Sequence, residues 1–150
     1  MSDHMNGSVV VPEMMRQRVD VLQQELSKLP QYEPVTRHYI HGGMYCREVF
    51  READVLVVGK VHKKEHFYLI VGGTVIITDG ENESVEVTGP FLFLSKPGTK
   101  RAVYAVTNTL CMTFHATDAT TVEDAENELV ESDPDAMLGV GNLIKKEVLS

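Results

Sequence analysis

The chain has 150 residues, 43% of them hydrophobic, which is enough for one domain to bury a core and hide roughly two thirds of its unfolded surface. Its formal net charge of -8 and pI near 5.2 argue against a nucleic-acid binder that works by neutralising phosphates. No stretch reaches the roughly 18 apolar residues of a membrane span, and no basic region with a long apolar run opens the chain, so a cytoplasmic location is expected.

Residues 1–11 are small and polar without periodicity and read as an arm. Pro12 opens a helix, where proline fits the first position, and Met15, Val19, Leu22, Leu26 and Leu29 recur at steps of three and four. Arg16, Arg18, Asp20, Gln23, Gln24, Glu25 and Lys28 fall on the other side, so the helix is amphipathic and is expected to lie on the rest of the chain or on a partner. Pro30 ends it.

From 37 to 117 the period drops to two, with turn residues every eight to twelve positions. The predicted strands are 37–41, 44–50, 55–60, 66–71, 74–78, 84–88, 91–95, 101–106 and 110–116. Glycine, proline and asparagine mark the turns between them, including Gly42-Gly43, Gly72-Gly73, the stretch 79–82, Gly89-Pro90, Pro97-Gly98 and Thr107-Asn108-Thr109. Nine short strands without helices between them favour a jelly roll over a parallel α/β sheet. Cys46 and Cys111 sit inside apolar strands rather than at metal-knuckle spacing and are expected to be buried free thiols. After Thr117 the chain turns acidic. Thr120 with Glu123 reads as a capping box for a helix to about Val130, and 136–150 carries apolar residues at loosely helical spacing. The domain reading is therefore an N-terminal arm and helix over 1–36, a barrel over 37–117 and a helical tail over 118–150.

Two segments carry the chemistry. The first is Gly59-Lys60-Val61-His62-Lys63-Lys64-Glu65-His66, leading into an apolar strand and Gly72-Gly73; the second is Gly89-Pro90, a strand, then Ser95-Lys96-Pro97-Gly98-Thr99-Lys100-Arg101. Together they resemble the two motifs of the cupin barrel, which implies an all-β, cupin-type jelly roll. On that resemblance Gly73 is the closing glycine of the first motif, His66 stands where the family has its metal-binding glutamate, and His62 takes the place of the second histidine. Lys60 replaces the first histidine and Arg101 the histidine of the second motif. The runs are also similar to those of small single-cupin proteins carried by tailed bacteriophages, and the likeness spans about residues 37 to 117.

Imidazole is a common ligand of divalent transition metals, but two histidines are fewer than the three protein ligands of an open catalytic site. If Thr107-Asn108-Thr109 is a three-residue hairpin loop, Arg101 pairs with His115 and a His62, His66, His115 site follows; a two-residue loop sends His115 to the other face. The cofactor expectation is one divalent transition metal (zinc, iron, manganese or nickel) or none. Lys60, Lys63, Lys64, Lys96, Lys100 and Arg101 cluster on the motifs and suit a small anionic ligand, for which Lys60, Lys100, Arg101 and Tyr68 are the candidate contacts; side chains paired with acids in water are the plainer alternative.

The functional expectation is a small cupin of the phage-carried kind acting as a non-catalytic ligand-binding or structural accessory, with virion proteins among its partners and an altered metal site. The alternative is a metal-dependent isomerase, epimerase or dioxygenase using His62, His66 and His115. Association of copies through 12–29 and 136–150 is expected; nucleic acid and membrane are not.

Overall fold

The computed structural model describes residues 12–78, 84–143 and 145, with 12–18 described by backbone alone. The arm at 1–11, the turn at 79–82 and, in the tail, residue 144 and residues 146–150 lie outside the described residues. Nine strands form: β1 (Val35–His41), β2 (Met44–Arg51), β3 (Leu56–Val58), β4 (His66–Gly72), β5 (Thr74–Thr78), β6 (Val85–Thr88), β7 (Phe91–Ser95), β8 (Ala102–Ala105) and β9 (Thr109–Ala116). They match the nine predicted runs to within two residues at each end, because alternating burial along each strand leaves a period of two in the sequence.

All pairings are antiparallel. One sheet has the order β1-β2-β9-β4-β7, the other β3-β8-β5-β6. Tyr68, Ile70 and Cys111 of the first sheet meet Val75, Ile77, Val87 and Val103 of the second in the main core, with Phe93 packed against it. This is a jelly roll, as the sequence pattern and the resemblance imply. Cys46 and Cys111 are free and buried, as expected. Among the described residues no helix is long and apolar enough to cross a membrane.

Helix α1 (Pro12–Leu26) lays its stripe on its own barrel: Val19, Leu22 and Leu26 pack with Val58, Ala102, Leu56 and Met137. Helix α2 (Val122–Leu129) is capped by Thr121, whose hydroxyl accepts from the Asp124 N–H at 3.1 Å. The cap is thus one residue later than the predicted Thr120–Glu123 box: Thr121 takes the extended conformation that aims a side chain at the open amides. Ala125 and Leu129 press on Tyr45. Among the described residues the helix expected after 136 does not form; only a 3-10 turn, Val140–Asn142, appears there, with Gly141 at φ 70° inside it.

The largest difference concerns the predicted hairpin. β8 and β9 belong to different sheets, so Arg101 does not pair with His115 and 107–108 is an arch between layers. The N–H groups of Val106 and Thr107 donate to the Thr74 carbonyl (2.9 and 3.3 Å), and Ala53 N–H donates to Asn108 Oδ1 (2.9 Å). A turn signal shows that the chain bends and is silent on which sheet it enters next.

Gly73 closes the β4–β5 connection against that arch. Its φ is +90°, and a Cβ there would stand 2.2 Å from the Asn108 carbonyl oxygen and 2.9 Å from Thr109 Cα. Gly73→Ala therefore combines a left-handed alanine with a backbone clash and should cost about 2–5 kcal/mol, seen as a fall of at least about 5 °C in the thermal unfolding midpoint. An unchanged midpoint contradicts the arch contact.

Candidate metal centre

Three histidines converge at one end of the barrel. His66 opens β4, and His115 lies near the end of β9 in its buried phase with Thr109, Cys111 and Thr113. β4 pairs with β9 as Tyr68↔Thr113 and Ile70↔Cys111, and continuing that register two residues brings His66 beside His115. His62 comes from the preceding loop, which the C-terminal segment grips: Lys63 N–H donates to the Leu129 carbonyl (2.7 Å) and Glu131 N–H to the Val61 carbonyl (2.8 Å), while Gly98 N–H, from the turn between β7 and β8, donates to the His62 carbonyl (3.0 Å).

Ring centroids are 4.3 Å apart for His62–His66, 4.4 Å for His66–His115 and 5.2 Å for His62–His115. One potential ligand nitrogen from each lies within 4.8 Å of the others. Tetrahedral bonds of about 2.1 Å to a common ion put such atoms about 3.4 Å apart, so ring movements of up to about 0.8 Å close the set. The arrangement expected from the sequence thus exists, although it is built by β4–β9 pairing rather than by a hairpin.

All three rings are held neutral. His66 and His115 are only 4% and 3% exposed. Burial is the main cause that drives His62 down to about 2, His66 to about 4 and His115 to about 3. The Arg47 charge adds to the effect at all three, and Arg101 at His62 and His66. Neutral imidazoles are the form a metal needs. Their outer contacts are in place: Thr113 Oγ1 lies 2.8 Å from His115 Nε2, and the Lys64 carbonyl accepts a long hydrogen bond from His66 Nδ1 at 3.5 Å, leaving the Nε2 lone pair of His66 free. Tyr45 stacks on His115 at 5.6 Å, and its hydroxyl, with a pKa pushed up to about 12 chiefly by burial, donates to His38 Nδ1 at 2.7 Å.

The other candidate contacts have separate settings. The Arg101 guanidinium lies over the rings of Tyr68 (5.9 Å) and Phe93 (5.3 Å). Tyr68 stacks on Phe93 at 5.0 Å and accepts from Arg51 Nη1 at 3.4 Å. Lys60 faces the buried Glu126 carboxylate at 3.9 Å. Lys100 is buried, tied to Asp20 and, at 3.2 Å, to Asp133. Lys64 pairs with Glu128 at 3.0 Å, and Lys63 donates to the Asn127 carbonyl at 3.3 Å. Much of the cationic ring is thereby answered by acids and carbonyls of the C-terminal segment. Sequence reasoning passed over Arg47 and Arg51. The signal was there: both fall in the inward phase of β2 with Tyr45 and Val49, where an all-apolar run is the norm.

No family model and no curated protein sequence matches the chain. Solved structures do. The chain is similar to ectoine synthase from P. lautus (12% identity, covering 69% of this chain and 78% of that one, TM-score 0.54) and to KdgF from Halomonas sp. (11% identity, 63% and 87%, TM-score 0.52). It is also similar to salicylate 1,2-dioxygenase from Pseudoaminobacter salicylatoxidans (10% identity, 76% of this chain and 34% of that one, TM-score 0.53). At these identities the likeness concerns the fold, which is the cupin-type jelly roll.

The neutral imidazoles set the acid sensitivity of the metal-free protein. Their folded-state pKa values lie below the unfolded value of about 6.5, so the unfolded chain binds more protons and stability falls as pH drops below about 6.5. Each such histidine contributes a slope of up to about 1.4 kcal/mol per pH unit. Urea unfolding of chelator-treated protein from pH 7.5 to 4.5 should show this loss, and His115→Gln should flatten it by about a third; equal slopes in both proteins contradict the buried neutral trio.

Proposed function

We propose that this chain is a mononuclear metal protein, holding one divalent transition metal through His62, His66 and His115 and leaving the remaining coordination positions open to a small ligand inside the barrel. The observation that supports this reading is the meeting of three neutral imidazoles, His66 and His115 buried and His62 half-buried, from a loop and two strands. Three protein nitrogens with open positions match zinc or iron catalytic sites, and manganese or nickel fit the same donors. A metal bound there supplies Lewis-acid polarisation of a coordinated oxygen.

The chain's own residues would do the rest. Thr113 and the Lys64 carbonyl orient two rings, Tyr45 and the β9 packing keep water from His115, and Arg101 lays positive charge against the pocket wall of Tyr68 and Phe93. A reaction on a bound small molecule draws support from structures of the same fold that are an ectoine synthase and a salicylate 1,2-dioxygenase. The structural-accessory alternative, with virion proteins as partners, draws only on the sequence runs at 59–66 and 95–101, and the helix stripe on which it placed assembly is occupied by the chain's own barrel. Association of copies remains part of the proposal. Its support is the outer face of the five-stranded sheet, where Phe67, Leu92 and Leu94 are exposed; a monomer mass in solution at every concentration contradicts it.

Metal content decides the main reading. Protein purified without chelator, or reloaded and dialysed, should carry about one equivalent of transition metal, lost in each of His62→Ala, His66→Ala and His115→Ala. Thr113→Val should weaken binding by about tenfold or more through the freed His115 ring. Folded wild-type protein that binds no metal, or a His62→Ala/His115→Ala double variant that keeps it, overturns the reading.

A further inference from the structure

Two arginines of β2 reach into the barrel, Arg51 buried and Arg47 half-buried. Arg51 is 9% exposed, and its Nε is buried without a hydrogen-bond partner. Among the described residues its Nη1 meets only the Tyr68 hydroxyl (3.4 Å) and Cys111 Sγ (3.7 Å), neither of them a carboxylate. Arg47, four residues earlier in the same inward phase of β2, also has a buried Nε without a partner among the described residues. Among the described residues neither guanidinium has a carboxylate within 4.0 Å. A partly open cavity of about 50 Å³ is lined by both arginines, Lys60, His62 and Asn142, with Met137 and Leu138 on its C-terminal side. Lys60 has Glu126; the arginines have the cavity.

A buried charge without a partner is strongly unfavourable, and a divalent ion on the nearby imidazoles makes the imbalance worse. Paired guanidinium forks match the two oxygens of a carboxylate or the edge of a phosphate. The cavity has room for about two water molecules, the size of a carboxylate group or an oxyanion of about three to five heavy atoms. We infer that this cavity is a binding site for a small oxyanion, seated on Arg47 and Arg51 with its far edge toward His62. This moves the anion from Lys100 and Arg101 to the floor formed by β2, where Lys60 lines the same cavity. The inference rests on the metal reading only for what the far edge of the anion meets; the arginine argument stands without it.

Thermal unfolding of the full-length, chelator-treated protein in malonate, in phosphate and in chloride at matched ionic strength tests it. The wild type should gain several degrees in 10 mM malonate or phosphate over chloride, and the larger of the two gains tells carboxylate from phosphate. Arg51→Met should melt at or above the wild type without anion, because it removes an unpaired buried charge, and should show no anion-specific gain. Arg47→Met should lose at least half of the gain, which keeps the test decisive if Arg51→Met fails to fold. A wild type that responds to neither anion beyond chloride, or arginine variants that keep the full gain, overturns the inference. Zinc content after dialysis, measured in parallel, separates the two readings. One equivalent of zinc with no anion gain overturns this inference alone; an anion gain with no zinc bound supports it and sinks the metal reading.

Discussion

Strand β9 lies between β2 and β4, and the register of those two ladders decides what the barrel interior contains. With Tyr68 opposite Thr113 and Tyr45 opposite His115, the buried phase of β9 carries Thr113 and His115 inward, toward His66 on one side and Tyr45 on the other. A slip of one residue would turn His115 to the outer face and leave two histidines, too few for a metal site. The apolar half of the same phase fixes the register: Cys111 and Ile70 sit in the main core and would have to leave it. Site and core are therefore specified by one alignment.

The C-terminal segment completes what the barrel begins. The stretch 129–131 bridges to 61–63 and holds the His62 loop; Leu129 and Ala125 cover Tyr45; Glu126 accepts from the Gly141 N–H at 2.7 Å while facing Lys60. Lys100 joins α1 to the same region through Asp20 and Asp133. This acidic segment answers rim cations, so the charge left over is on the barrel floor at Arg47 and Arg51. Neutral imidazoles lie beside guanidinium groups that, among the described residues, have no carboxylate within 4.0 Å, and such an interior favours an anion, the more so with a metal ion present.

Much of this was legible in the sequence, and the reasons differ by residue. The nine strands show because alternating burial writes itself directly into the pattern, and Gly73 shows because only glycine tolerates its backbone angle against the Asn108 carbonyl. His62 and His66 are visible as neighbours in one motif. His115 was reached through a hairpin that does not exist: Thr107-Asn108-Thr109 signals a bend, while the sheet that β9 joins depends on which strands are left with open edges. Lys60 and Lys100 read as ligand-facing cations because their acids, Glu126, Asp20 and Asp133, lie 33 to 80 residues away in the chain. Arg47 and Arg51 were hidden by habit rather than by physics, since charged residues in the buried phase of a strand are themselves the signal.

X-ray absorption at the metal edge of the zinc- or iron-loaded protein tests the central claim most directly. Three histidines around one ion predict nitrogen scatterers at about 2.0–2.1 Å with the outer-shell pattern of three imidazoles, falling to two in His115→Gln. A first shell of oxygen alone, or a spectrum unchanged in that variant, contradicts the account.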